Sequence, residues 1–192
     1  MRITSKFGLS TLTCCTLFFT GCQQYVQPQT PPTPEEIAAN QFNLQGKIGV
    51  RTPQQTGSAF FTWAQDREEY EIELSGILGV GKTQISGKSG LVQLNSAKTG
   101  LIEANTPEEL LERATGWQAP ITHLVDWVQA RPATTQAKIT RDTAERPQQI
   151  LEDGWTVDLS YNDAAQLPNK LILKQALENG TENRITMIIQ NR

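Results

Sequence analysis

The stretch Glu69-Tyr70-Glu71-Ile72-Glu73-Leu74 places an acidic side chain at every odd position and an apolar one at every even position. Successive side chains of a strand point to opposite faces, so this is a strand with one face in water and the other in a core. Strands of a parallel sheet are buried on both faces and read as continuous apolar runs; one-sided strands belong to antiparallel sheets. The same period sets Phe42, Leu44, Ile48 and Val50 against Asn43, Gln45, Lys47 and Arg51. A strand over 57–65 carries Phe60, Phe61 and Trp63, and shorter ones are predicted over 82–87, 91–95 and 101–104, punctuated by glycine. Five more are predicted over 136–141, 147–151, 155–161, 169–175 and 182–190.

Between these two sets the period changes. Thr106-Pro107-Glu108-Glu109 is a capping box with proline in the first turn; Leu110, Leu111 and Ala114 form the apolar face behind it, and Gly116 ends the helix. A second helix is predicted from Pro120, with Ile121, Leu124, Val125 and Val128 as its apolar stripe and Arg131-Pro132 as its end. A short helix over 34–41, capped by Thr33, precedes the first strand. A single sheet of about eleven strands has to curl or split. The expected fold is therefore mainly β (α+β), a curled, incompletely closed antiparallel barrel with a helical lid over its apolar concave face.

The N-terminus has another purpose. Arg2 and Lys6 precede an apolar stretch from Phe7 to Phe19, which is too short to span a bilayer. It ends in Phe19-Thr20-Gly21-Cys22, which resembles the lipobox of bacterial lipoproteins, with phenylalanine where leucine is commoner. That resemblance implies a signal peptide over 1–21 and a lipid on Cys22 as the first mature residue. Gln23 follows the cysteine, where aspartate would resemble an inner-membrane retention signal, so an outer-membrane location facing the periplasm is expected. Residues 22–33 are rich in Gln, Thr and Pro and read as a flexible stalk, leaving 34–192 as a single domain. Cys14 and Cys15 would leave with the leader, so the mature domain has no thiol for a disulfide, a metal or nucleophilic catalysis. A formal charge of −3 argues against nucleic acid, whose phosphates require clustered cations.

Gly76-Ile77-Leu78-Gly79-Val80-Gly81-Lys82-Thr83 matches the phosphate-binding pattern G-x-x-x-x-G-K-[ST]. That motif needs a buried parallel strand before it and a helix after it. Here the preceding strand has three glutamates on one face and the following residues read as another strand, so the string is a hairpin and no nucleotide is expected. Ile77 and Leu78 then stand at a glycine-flanked tip where polar residues are usual. Leu78 either folds back under the sheet or forms an apolar prong that dips into lipid.

An ordered set of residues extends this picture. Trp63, the run from Tyr70 to Leu74, Gly76-Ile77-Leu78-Gly79, Gly87, Leu91-Val92-Gln93-Leu94, Glu109-Leu110-Leu111, Gly116-Trp117, Pro120-Ile121, Leu124, Trp127, Arg131-Pro132, Gly154-Trp155-Thr156-Val157 and Leu167-Pro168 together resemble the LolB family. That family consists of outer-membrane lipoproteins that receive other lipoproteins from the periplasmic carrier LolA. The resemblance implies an unclosed barrel enclosing a cavity for the acyl chains of its cargo. It places the family's membrane-delivery leucine on Leu78, with Ile77 standing where proline is usual. It makes Ile72, Leu74, Leu110, Leu111, Trp117, Leu124, Trp127 and Val128 candidates for the cavity wall, although an aromatic stripe is more often plain core. The partners implied are a LolA-like carrier, cargo acyl chains and outer-membrane lipid, with the chain acting as a monomer and with no cofactor beyond its covalent lipid.

Catalysis has little to rest on. His123 is the only histidine, lies off the apolar stripe and has Asp126 three residues on, the spacing of an ordinary surface pair. No cluster of His, Cys and Asp suggests a metal. The reading from a different class is a structural or assembly lipoprotein of an envelope complex, which would have a solid core where a transfer protein has an apolar cavity.

Overall fold

Residues 40–76 and 81–192 are described by the computed structural model. The leader, Cys22, the stalk and the tip residues Ile77 and Leu78 lie outside the described residues, as does residue range 34–39 of the expected N-terminal helix. Asn40 is in a turn and Gln41 already belongs to the first strand, so that helix does not reach 41.

Six strands come first: β1 (Gln41–Arg51), β2 (Thr56–Asp66), β3 (Glu69–Ser75), β4 (Lys82–Lys88), β5 (Leu91–Ser96) and β6 (Gly100–Ala104). Helix α1 (Pro107–Thr115), a 3-10 turn (Ile121–His123) and helix α2 (Leu124–Trp127) follow. The chain then returns to strands with β7 (Lys138–Arg141), β8 (Pro147–Glu152), β9 (Trp155–Ser160), β10 (Lys170–Ala176) and β11 (Glu182–Asn191). All eleven form one antiparallel sheet in the order β6-β5-β4-β3-β2-β1-β11-β10-β9-β8-β7. Pairing of β1 with β11 places the first and last strands side by side at its centre. The edges are β6 and β7, which do not pair, so the sheet curls without closing. The segment joining those edges carries both helices; it has to pass from one rim to the other, and in doing so it covers the concave face.

Alternation decides which residues it covers. Leu44 on β1, Phe61 and Trp63 on β2, Ile150 on β8, Trp155 and Val157 on β9, Leu171 and Leu173 on β10, and Ile185 and Met187 on β11 all point inward and are buried. Leu124, Trp127 and Val128 cap this core from the helical side. A smaller cluster of Val92, Ala104 and Leu110 seats α1 on the β5–β6 rim.

α1 begins as its sequence requires: the Thr106 hydroxyl accepts from the Glu109 amide at 3.2 Å, and Glu109 in turn accepts from the Asn105 amide at 2.9 Å. It ends at Gly116, left-handed with φ of 71°. The second helix is shorter than its apolar stripe suggests, a 3-10 turn followed by a single α turn. Its termination is local. The Arg131 amide reaches the Asp126 carbonyl and the Ala130 amide reaches Trp127, both at 3.0 Å, with Ala130 at φ 57°. These are the paired bonds of a Schellman stop, and Pro132 follows at once.

Candidate functional site

The core does not fill the concave face evenly. Under the end of α2 it is solid, with Trp127 and Val128 at 0% exposure. Towards β3–β5 the inward residues Tyr70, Ile72, Leu74, Ile85 and Leu94 are only half-buried. An open cavity of about 350 Å³ lies there, between the sheet and the segment from Asn105 to Val125. Its sheet wall is formed by Ile48, Phe61, Trp63, Tyr70, Ile72, Leu74, Val92 and Met187, its roof by Ile121, Leu124 and Val125. Polar side chains, among them Arg67, Lys88, Glu108 and Thr122, are found at one end, where the β2–β3 and β4–β5 turns meet the start of α1. Two other depressions, of about 400 and 700 Å³, are on the outer face and are lined largely by Asn, Gln, Glu and Ser.

The wall is apolar because its polar atoms are spoken for or held neutral. The Trp63 indole donates to Gln65 at 2.8 Å, and the Gln65 amide donates on to the Arg67 carbonyl at 2.7 Å. The Phe42 ring meets Trp63 edge-on at 5.0 Å between centroids and fixes it. Tyr70 lies flat over its cross-strand partner Gly87, where a Cβ would come within 2.3 Å of the ring. Burial, and then the Glu108 carboxylate, push the Tyr70 phenol up to about 12, so the wall carries no charge at neutral pH.

The roof is clamped at both ends. Glu108 on α1 accepts from the Thr122 amide at 2.8 Å and from its hydroxyl at 2.9 Å, tying α1 to the 3-10 turn. Behind α2, Glu152 is 6% exposed and accepts from the Trp127 indole, the Ala133 and Thr134 amides and the Thr134 hydroxyl. Burial pushes the Glu152 carboxyl up, but these donors outweigh it and hold it below the ordinary carboxylate value. Arg192 donates to the carbonyls of Val128 and Pro168, each at 2.7 Å, and pins the end of α2 to the sheet.

Of the eight residues expected at the cavity wall, the structure brings Ile72, Leu74 and Leu124 together there. The other five stand elsewhere: Trp127 and Val128 in the main core, Leu110 in the β5–β6 cluster, and Leu111 and Trp117 against the main core, Trp117 with its ring 6.3 Å from that of Trp155. Ile48, Phe61, Trp63, Tyr70, Val92, Ile121, Val125 and Met187 line the cavity as well. Strand alternation already marked Ile48 and Tyr70 as inward, while it did not single out Phe61, Trp63, Val92 or Met187. Nothing local to the sequence marks Glu152 or Arg192. His123 is half-buried, not a solvated side chain. It packs edge-on to Trp127 at 5.5 Å and faces Asp153 at 3.6 Å, while Asp126 pairs with Arg131 at 2.9 Å. The string from Gly76 to Thr83 connects antiparallel strands whose register sets Ser75 against Lys82, and Lys82 is ion-paired with Glu73. Among the described residues, no three His, Cys, Asp or Glu side chains gather as a metal site would need.

What this arrangement can do chemically is hold an apolar chain against an uncharged wall with a polar mouth. The family profile described as "Outer membrane lipoprotein LolB" matches residues 40–191. A protein named outer-membrane lipoprotein LolB from Stutzerimonas stutzeri strain A1501 is 32% identical over 193 residues, covering 93% of this chain and 91% of its own length. One of the same name from Pseudomonas putida strain F1 is 37% identical over 154 residues, covering 78% of this chain and 73% of its own. Among solved structures, a chain in the Pseudomonas aeruginosa MucA/MucB complex aligns over 78% of this chain and 51% of its own length, with 14% identity and a TM-score of 0.37.

Proposed function

The chain belongs to the LolB family of outer membrane lipoproteins, and on that premise we propose that it takes lipoproteins from the periplasmic carrier LolA and passes them into the outer membrane, acting as a monomer. The acyl chains of the cargo enter the cavity between β3 and the 3-10 turn. The observation that carries this reading is the cavity itself: about 350 Å³, walled by aliphatic and aromatic side chains, and within the size range of small-molecule pockets. Each buried methylene is worth about 0.8 kcal/mol, so an acyl chain is held without a polar contact. Transfer then needs no nucleotide, only a rise in affinity from carrier to receptor to bilayer. Cys22 carries the lipid that keeps the domain at the membrane, and Leu78, with Ile77 beside it, delivers the chains. A scaffold with no ligand would have its core solid throughout; an apolar cavity with half-buried Ile72 and Leu74 supports transfer instead. The test is photo-crosslinking of lipidated cargo to a diazirine amino acid placed at Ile72. A crosslink to the acyl chain is expected there and none from Gln84 on the outer face. Equal yields at the two positions would sink the cavity reading.

A further inference from the structure

One row of side chains on the outer face does not fit a purely solvated surface. Phe60 on β2 is in register with Lys47 on β1, Lys47 with Ile188 on β11, and Ile188 with Lys170 on β10, so the four run across adjacent strands. All point away from the core, because their neighbours Phe61, Ile48, Met187 and Leu171 point into it. Phe60 is 56% exposed and Ile188 40%, so a large apolar side chain stands in water on either side of Lys47. The Lys47 ammonium is 4.9 Å from the centroid of the Phe60 ring. Neither Lys47 nor Lys170 has a carboxylate partner among the described residues. Elsewhere on the same face the charge reverses, with Glu69, Glu71 and Glu73 on β3 and Glu103 on β6. Ser75, at the end of β3, is the register partner of Phe60, so the row starts beside the root of the β3–β4 hairpin.

We infer that this row is a docking surface for a bilayer containing anionic phospholipid. A ring and an aliphatic side chain flanked by unpaired ammonium groups suit the boundary between headgroups and acyl chains, where the apolar part sinks in and the cations meet phosphate. Charge complementarity also makes the contact directional. The chain carries −3 overall and its acidic half is repelled by such a surface, so the domain approaches with Lys47 and Lys170 leading. The inference rests on the chain working at a membrane, as proposed above, and not on the cavity.

The test uses the chain carrying Cys22→Ser and lacking residues 1–21, so that neither a lipid nor the apolar leader contributes, and flotation with vesicles of phosphatidylcholine alone or mixed with phosphatidylglycerol. Flotation with the mixed vesicles is expected, falling with added salt. The double variant Lys47→Gln, Lys170→Gln should bind them about 25-fold more weakly, and Phe60→Ser should weaken binding to both kinds of vesicle. Both variants should melt at the parent's temperature, since the side chains stand outside the core. Undiminished flotation of the variants, indifference to phosphatidylglycerol, or no flotation of the Cys22→Ser chain overturns the inference; weakened binding of purified carrier in place of vesicles assigns the row to a protein and overturns it too. Binding of a fluorescent fatty acid by the same proteins reads the cavity separately. Its loss in all of them, with flotation intact, removes the transfer reading and leaves the docking surface standing.

Discussion

Glu152 shows how much one side chain contributes to the roof over the cavity. A carboxylate with 6% exposure is costly to bury alone, and four donors from Trp127, Ala133 and Thr134 make it tolerable. Its folded pKa lies below the ordinary value, so its contribution to stability is present above that ordinary value, about 4.3, and is lost as pH falls through the folded one. Glu152→Gln keeps the shape, removes the charge and puts an NH2 donor in place of one acceptor oxygen, facing donors. We expect it to cost about 2 kcal/mol at pH 7. The difference from the parent should shrink as pH drops below about 4. Thermal melts of both proteins across that range check it, and a constant difference would show that the charge is immaterial. Asp142 and Asp158 also have lowered carboxyl values, but they are common to both proteins and cancel in the comparison.

At the scale of elements, the two halves of the helical segment have different duties. The end of α2 is core: Trp127 is sealed there and hydrogen-bonded to Glu152. The 3-10 turn and the first residues of α2, Leu124 and Val125, form the cavity's roof, opposite Ile72 and Leu74. Charge therefore has different effects at two positions that the sequence offers alike as candidates for the cavity wall. Ile72→Glu is expected to leave a folded protein by far-UV circular dichroism and to reduce fatty-acid binding about tenfold or more, because several methylenes lose their wall. Trp127→Glu is expected to unfold the domain, since a buried charge would face another carboxylate. Normal fatty-acid binding by a folded Ile72→Glu chain would exclude β3 from the wall.

That contrast also marks the limit of reading from sequence. Period-two alternation in β1 and β3 and the capping box of α1 are local signals, and each element formed where those signals placed it. The apolar stripe from Ile121 to Val128 was equally legible as a face, but a stripe does not say whether it meets a wall or a void. That depends on residues far away in the chain: Trp127 meets Glu152 across 25 positions and Val128 meets Arg192 across 64. The length of the second helix escaped for another reason. Its stop depends on Ala130 taking a left-handed φ of 57°, for which alanine gives no warning.

For the molecule as a whole, the proposed transfer turns on the segment between β3 and β4. Leu78 belongs to that segment, which joins well-paired strands with Ser75 against Lys82 at their ends. Leu78→Glu is expected to fold as the parent does, to accept a lipidated cargo from the carrier, and to fail in depositing it in liposomes. Burial of the leucine in lipid is worth roughly 1.5–3 kcal/mol, too little to anchor the domain but enough to orient it. A melting temperature lowered by more than a few degrees would instead place Leu78 in the core, and normal deposition would leave the tip without a role in delivery.

The pairing of β1 with β11 has a consequence for the birth of the protein. Gln45 has to find Asn191 before the middle of the sheet exists, so the domain's central seam is also its most distant contact along the chain. Loop closure of that length is slow, and until it occurs β1 and β11 each present a bare edge. A ribosome or a translocation channel delivers β11 after every other strand. The domain therefore cannot complete itself until its last strand has been delivered. Loss of β11 would not trim a rim; it would split the sheet down its middle and leave β1 and β10 as two bare, adhesive edges.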